Sequence, residues 1–113
     1  MMDRDWVNEI PLAVTVCDVQ GKILYMNEKS KKAFSKDGGE NLIGTNLFDC
    51  HNPSSQSKIQ DLLDTRSSNV YTIQKNGKKK MIIQAPWYEN KEIQGLVEFS
   101  VELPNIVPHF VRD

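Results

Sequence analysis

The stretch that most limits what this chain can fold into is IPLAVTVCDVQGKILYMN, residues 10–27. It reads as two short strands joined by a tight turn. Residues 12–18 are rich in β-branched and small side chains, and residues 22–26 carry Ile23, Leu24 and Tyr25. Val19, Gln20 and Gly21 supply the turn, where Gly21 is free to take positive φ. Asn27 then ends the second strand and is placed to cap a helix starting at Glu28, its side chain accepting an orphan backbone N–H.

On either side of this stretch the chain alternates short helical and extended signals. Residues 3–10 form a short helix with Trp6, Val7 and Ile10 on one face, stopped by Pro11. EKSKKAF after Asn27 is helical by propensity, with Ala33 and Phe34 inward. Residues 35–41, with Gly38-Gly39, read as a loop, and short helical turns follow at Leu42-Ile43 and Leu47-Phe48. Asn52 caps the main helix and Pro53 is its first residue; Ile59, Leu62 and Leu63 form its buried stripe. Strands are expected at 69–74, 79–88 and 92–103, the last being the longest, with turns at Asn76-Gly77 and at residues 89–91. Pro104 and Pro108 leave residues 104–113 as an extended tail. The expected architecture is α+β: a five-stranded antiparallel sheet, with short helices between strands two and three packed on one face.

Composition narrows the function classes. At 113 residues the chain makes one domain with a modest core, divided into a cap helix at 1–10, a core at 11–103 and the tail. A net charge of −1 gives no reason to expect nucleic acid or an anionic membrane as partner. No apolar run approaches the ~20 residues of a membrane span, and MMDRDW lacks a signal-peptide core, so a cytoplasmic location is expected. There Cys17 and Cys50 stay reduced. A chain of this size is expected to hold no output domain, so if it signals it does so through a partner protein.

The order strand, D-x-x-G turn, strand, Asn-capped helix resembles the opening of a PAS sensor domain. Asp18, Gly21, Ile23, Asn27 and Phe34 stand at the positions of that pattern. The resemblance continues through Gly44, a helix at 58–64, the K-N-G hairpin at 75–77, Pro86 and Gly95, and covers residues 10–103. It implies a sensory or signal-transduction module, not an enzyme, that binds a small ligand or a protein partner and acts as a homodimer. Haem or flavin sensing is the alternative, though neither cofactor is specifically indicated. A small enzyme using the cavity is the weaker one, since no nucleophile–base pair, phosphate loop or carboxylate dyad is visible. The reactive cysteine of the flavin-binding LOV class follows its Gly by three residues. Here Leu47 holds that place and Cys50 comes three later, so flavin–cysteinyl photochemistry is not expected.

Strand alternation leaves two parities open. Val97, Phe99, Val101 and Leu103 alternate with Glu98, Ser100 and Glu102, and the apolar row alone would be turned toward the helices. The resemblance implies the opposite. It places Ala13, Thr15, Cys17, Leu24, Met26, Val70, Thr72, Ile82, Gln84, Leu96, Glu98 and Ser100 inward. Val14, Val16, Ile23, Tyr25, Tyr71, Ile73, Met81, Ile83, Trp87, Val97, Phe99 and Val101 then form an outer face too apolar to leave in water. The N-terminal helix, the tail or a second subunit would cover it. The implied pocket is lined by Thr15, Cys17, Met26, Phe34, Leu47, Ile59, Leu63, Thr72, Gln84, Glu98 and Ser100, with His51 at its rim. His51 reads as an axial haem ligand, a ligand hydrogen-bonder, or a ring bonded to nearby backbone at a helix start. No metal site is expected, because Cys50-His51 has no second Cys or His at finger spacing.

Overall fold

A computed structural model describes residues 5–47 and 53–113. The chain runs α1 (Asp5–Asn8), β1 (Ala13–Asp18), β2 (Ile23–Met26), α2 (Glu28–Ala33), two 3-10 turns (Ser35–Asp37 and Gly39–Leu42), α3 (Pro53–Thr65), β3 (Asn69–Lys75), β4 (Lys78–Glu89) and β5 (Glu92–Glu102). The five strands form one antiparallel sheet in the order β2-β1-β5-β4-β3. The α+β architecture with helices inserted between the second and third strands is therefore present. Two details differ from expectation. Residues 35–41 fold into 3-10 turns instead of open loop, and β4 (12 residues) is longer than β5 (11 residues).

The first hairpin owes its shape to Asp18 and Gly21. Asp18 Oδ1 accepts the backbone N–H groups of Gln20 and Lys22, each at 2.9 Å, and Gly21 takes φ 85°. A side chain at that φ is disfavoured, so glycine closes the turn. The free edge of β2 is clipped by the segment after the 3-10 turns: Ile23 N–H donates to Thr45 O, Gly44 N–H to Ile23 O, and Leu47 N–H to Gly21 O. These bonds occupy an edge that would otherwise be open to intermolecular pairing.

Asn27 does more than cap α2. Its Oδ1 accepts the N–H of Ser30 at 3.0 Å, as a cap should, and also that of Val14 at 2.9 Å. Its Nδ2 donates to the carbonyls of Leu12 (2.7 Å) and Val7 (2.9 Å). The residue has no exposed surface.

A second close approach occurs at Gly95, where an added Cβ would lie within 2.7 Å of Asp18 Cα and overlap the Cys17 carbonyl. The bare backbone lets the Trp87 indole, paired opposite it, reach across β5 and donate to Cys17 O at 3.0 Å.

The helix α3 closes with Arg66 in the left-handed region (φ 52°) and Ser67 N–H returning to Leu62 O. Ile59, Leu62 and Leu63 pack with Cys17 and Leu96 on the sheet, flanked by Leu47 and Ile93. That is the core. The expected cap at Asn52 lies outside the described residues.

Replacing Asn27 by alanine would strand two buried N–H groups and leave two part-buried carbonyls to water. Each stranded N–H costs roughly 1–3 kcal/mol, so a loss of about 2–6 kcal/mol is expected, above the ~1 kcal/mol of a simple cap. Urea unfolding of N27A against wild type measures it.

Candidate functional site

The inner face of the sheet looks onto α2, the 3-10 turns and α3, and a cavity of about 410 Å³ lies between them. From the sheet it is lined by Thr15, Cys17, Ile23, Met26, Gln84, Leu96 and Glu98; from the helical side by Phe34, Asp37, Leu42, Leu47 and Ile59. A second cavity adjoins it, sharing Thr15, Phe34, Ile59, Gln84 and Glu98, and extends toward β3 past Tyr71, Ile73, Lys75 and Lys80.

A polar row crosses the floor of this space. Asn69 on β3 donates Nδ2 to Gln84 Oε1 at 3.1 Å, and Gln84 on β4 donates Nε2 to Glu98 Oε2 at 2.9 Å. Register explains the alignment, since Asn69 pairs with Gln84, Gln84 with Glu98, and Glu98 with Thr15. The Thr15 hydroxyl in turn meets Ser30 Oγ of α2 at 2.5 Å. Above the row stand Cys17, Met26 and Leu96, all buried.

Of the residues expected in the pocket, Thr15, Cys17, Met26, Phe34, Leu47, Ile59, Gln84 and Glu98 line the first cavity. Ser100 lines the second. Leu63 belongs to the packed core instead, and His51 lies outside the described residues. Thr72 is a correction: it pairs with Met81 on the opposite face, while its neighbours Tyr71 and Ile73 face the second cavity. Val70 is likewise turned out, 58% exposed.

The corrected parity of β3 has a simple origin. A two-residue Asn76-Gly77 loop pairs Lys75 with Lys78, which sets Tyr71 opposite Ile82 and Asn69 opposite Gln84. With Ile82 and Gln84 inward, Asn69 and Tyr71 must be inward too. The loop length and the inward Ile82 thus held the signal. In β2 the pairing slips between Val16 and Cys17, so Cys17 sits opposite Ile23 while Thr15 sits opposite Met26. This bulge turns Ile23 into the cavity and leaves Leu24 44% exposed, the reverse of expectation. No local sequence signal marks it.

Burial pushes the Cys17 thiol above its ordinary range. The charges of Asp18 and Glu98 add to this, and a hydrogen bond from the Leu96 backbone opposes it. The Tyr71 phenol is raised by burial first and by Glu98 second. Cys17 is therefore an inert, protonated wall of the cavity at neutral pH. Among the described residues, no three His, Cys, Asp or Glu side chains gather as metal ligands, and no helix is long and apolar enough to cross a membrane.

With this geometry, comparisons place the chain. A family model described as the PAS fold matches residues 7–66. Among solved structures, the PAS domain of the histidine kinase ThkA superposes with TM-score 0.65 at 18% identity, covering 80% of this chain and 97% of that one. The Vibrio cholerae Aer2 receptor, a dual PAS-haem oxygen sensor, gives 0.62 at 17% identity, covering 82% and 95%. The Vibrio cholerae VqmA dimer gives 0.68 at 16% identity; 93% of this chain is covered but only about half (53%) of VqmA. No curated protein matches in sequence.

Because the native Cys17 thiol holds its proton more tightly than the unfolded one, its contribution to stability is lost as pH rises past the ordinary thiol value of 9.0. A Cys17→Ala variant should therefore lose stability less steeply above pH 9 than wild type, as followed by denaturant unfolding at stepped pH.

Proposed function

From the premise that the chain belongs to the PAS-fold family, we propose that it is a sensory signal-transduction module that takes a small ligand between sheet and helices. The observation that carries this is the cavity itself. It combines buried apolar walls with a convergent polar row, the composition expected of a small-molecule site. None of its described residues forms a nucleophile–base pair, so binding is favoured over catalysis.

The same reading includes a homodimer through the outer sheet face, with a signalling protein as the downstream partner. Val16, Met81, Ile83, Val97, Phe99 and Val101 lie on that face, each partly exposed. The tail leaves them open: Ile106 is 83% and Phe110 68% exposed. Among the described residues, the hydrogen bonds of the short α1 go to the β1–β2 end, from Tyr25 to Asn8 and from Asn27 to Val7. An apolar face of this extent calls for a partner surface, and a second copy supplies one with matching symmetry.

One experiment addresses both parts. Light scattering at ~100 µM, above the usual weak-association range, should give twice the 12.9 kDa chain mass. A Phe99→Glu variant should give the single mass with unchanged circular dichroism. A wild-type monomer would rule out the dimer. On the same sample, absorption and mass spectrometry of extracted small molecules should reveal a colourless ligand; a Soret or flavin band would instead select the cofactor-sensing alternative.

A further inference from the structure

The polar row has a direction. A carboxylate can only accept, so Gln84 must offer its Nε2 to Glu98; its Oε1 then faces Asn69, which must donate. Both amides thus aim their N–H groups toward β5, and the row ends on Glu98 as an acceptor with capacity to spare. The Gln84 amide is the one hydrogen-bond donor that the described residues give this carboxylate.

The charges around it are uneven. Asp37 is the other ionisable acid lining the first cavity, and no Lys, Arg or His is among the described residues there. Lys58, Lys75 and Lys80 line the adjoining cavity instead, and none of them makes an ion pair with Glu98. Among the described residues, the first cavity thus sets two acids and no base among apolar walls, while the lysines line the adjoining space. The part-buried Glu98 carboxylate lines the same cavity as Met26, Leu96 and Cys17 and has room for a further donor, which a bound cation would supply.

Resting on the ligand-binding reading above, we propose that the first cavity selects a small amine with an apolar body, its ammonium group on Glu98 and its hydrocarbon against Cys17, Met26, Leu96 and Ile59. Glu98 lines both cavities, and the lysines of the neighbouring one make that space the less favourable of the two for such a cation. The Asn69–Gln84 chain holds the carboxylate in position from behind, so the second oxygen is free for the ligand.

Three probes of one skeleton test this at pH 7: 2-phenylethylamine, 2-phenylethanol and 3-phenylpropionate. Each is titrated into the intact protein, with binding read from backbone amide NMR shifts at Cys17, Leu96 and Glu98. The amine should bind about tenfold or more tightly than the alcohol, and the carboxylate most weakly. In Glu98→Gln the amine should fall to the level of the alcohol, whose own affinity stays unchanged. The wild-type ranking stands as a test even if that variant folds poorly. Equal binding of amine and alcohol, or tightest binding of the carboxylate, would overturn the selection for cations and leave the cavity as a ligand site. If none of the three shifts these amides at millimolar concentration, the ligand-binding reading itself falls, and the inference with it.

Discussion

The four hydrogen bonds of the Asn27 carboxamide hold the fold's first half in register. One side chain, wholly removed from water, ties the end of α1, the entry to β1 and the first turn of α2 to the end of β2. Asparagine suits the position because its two donors and its carbonyl acceptor are met at once. Aspartate would bring a charge and no donors, and serine could not span the gap. The backbone of the same residue also donates to Val14 O, so β1 is held at two adjacent points.

That knot determines where the cavity can be. With β1 and α2 fixed to each other, Thr15 and Ser30 come within hydrogen-bond distance, and Phe34 at the end of α2 reaches the sheet's inner face. On the other flank the β3–β4–β5 meander carries Asn69, Gln84 and Glu98 in line. The helix α3 lies over both through Ile59, Leu62 and Leu63. The apolar part of the cavity therefore derives from helix packing, and its polar floor derives from strand register.

These two sources were unequally visible in the sequence. The D-x-x-G turn, the capping Asn27 and the hairpin at Asn76-Gly77 each have local chemistry that forces one backbone geometry, which makes them legible residue by residue. The inward row of β1, β4 and β5 followed from the family resemblance. Ile23 and Leu24 exchanged places because one extra residue in a ladder flips every side chain beyond it, at no cost that composition would betray. Tyr71 and Thr72 exchanged places for a different reason: alternation within β3 is uninformative when six of its seven residues are exposed. Only its pairing with β4 decides the face.

The Trp87 indole rests on the outer side of Gly95 and is fastened to the carbonyl of Cys17, whose sulfur forms part of the inner cavity wall. One peptide unit thus has its side chain on one face of the sheet and a chromophore on the other. Indole emission depends on the polarity and hydrogen bonding of its N–H, so the molecule carries its own optical probe at the wall between the two surfaces. The other tryptophan, Trp6, is 58% exposed on the N-terminal helix, and an aqueous quencher would silence it first. What remains is light from a single site, reporting on a strand that both faces share.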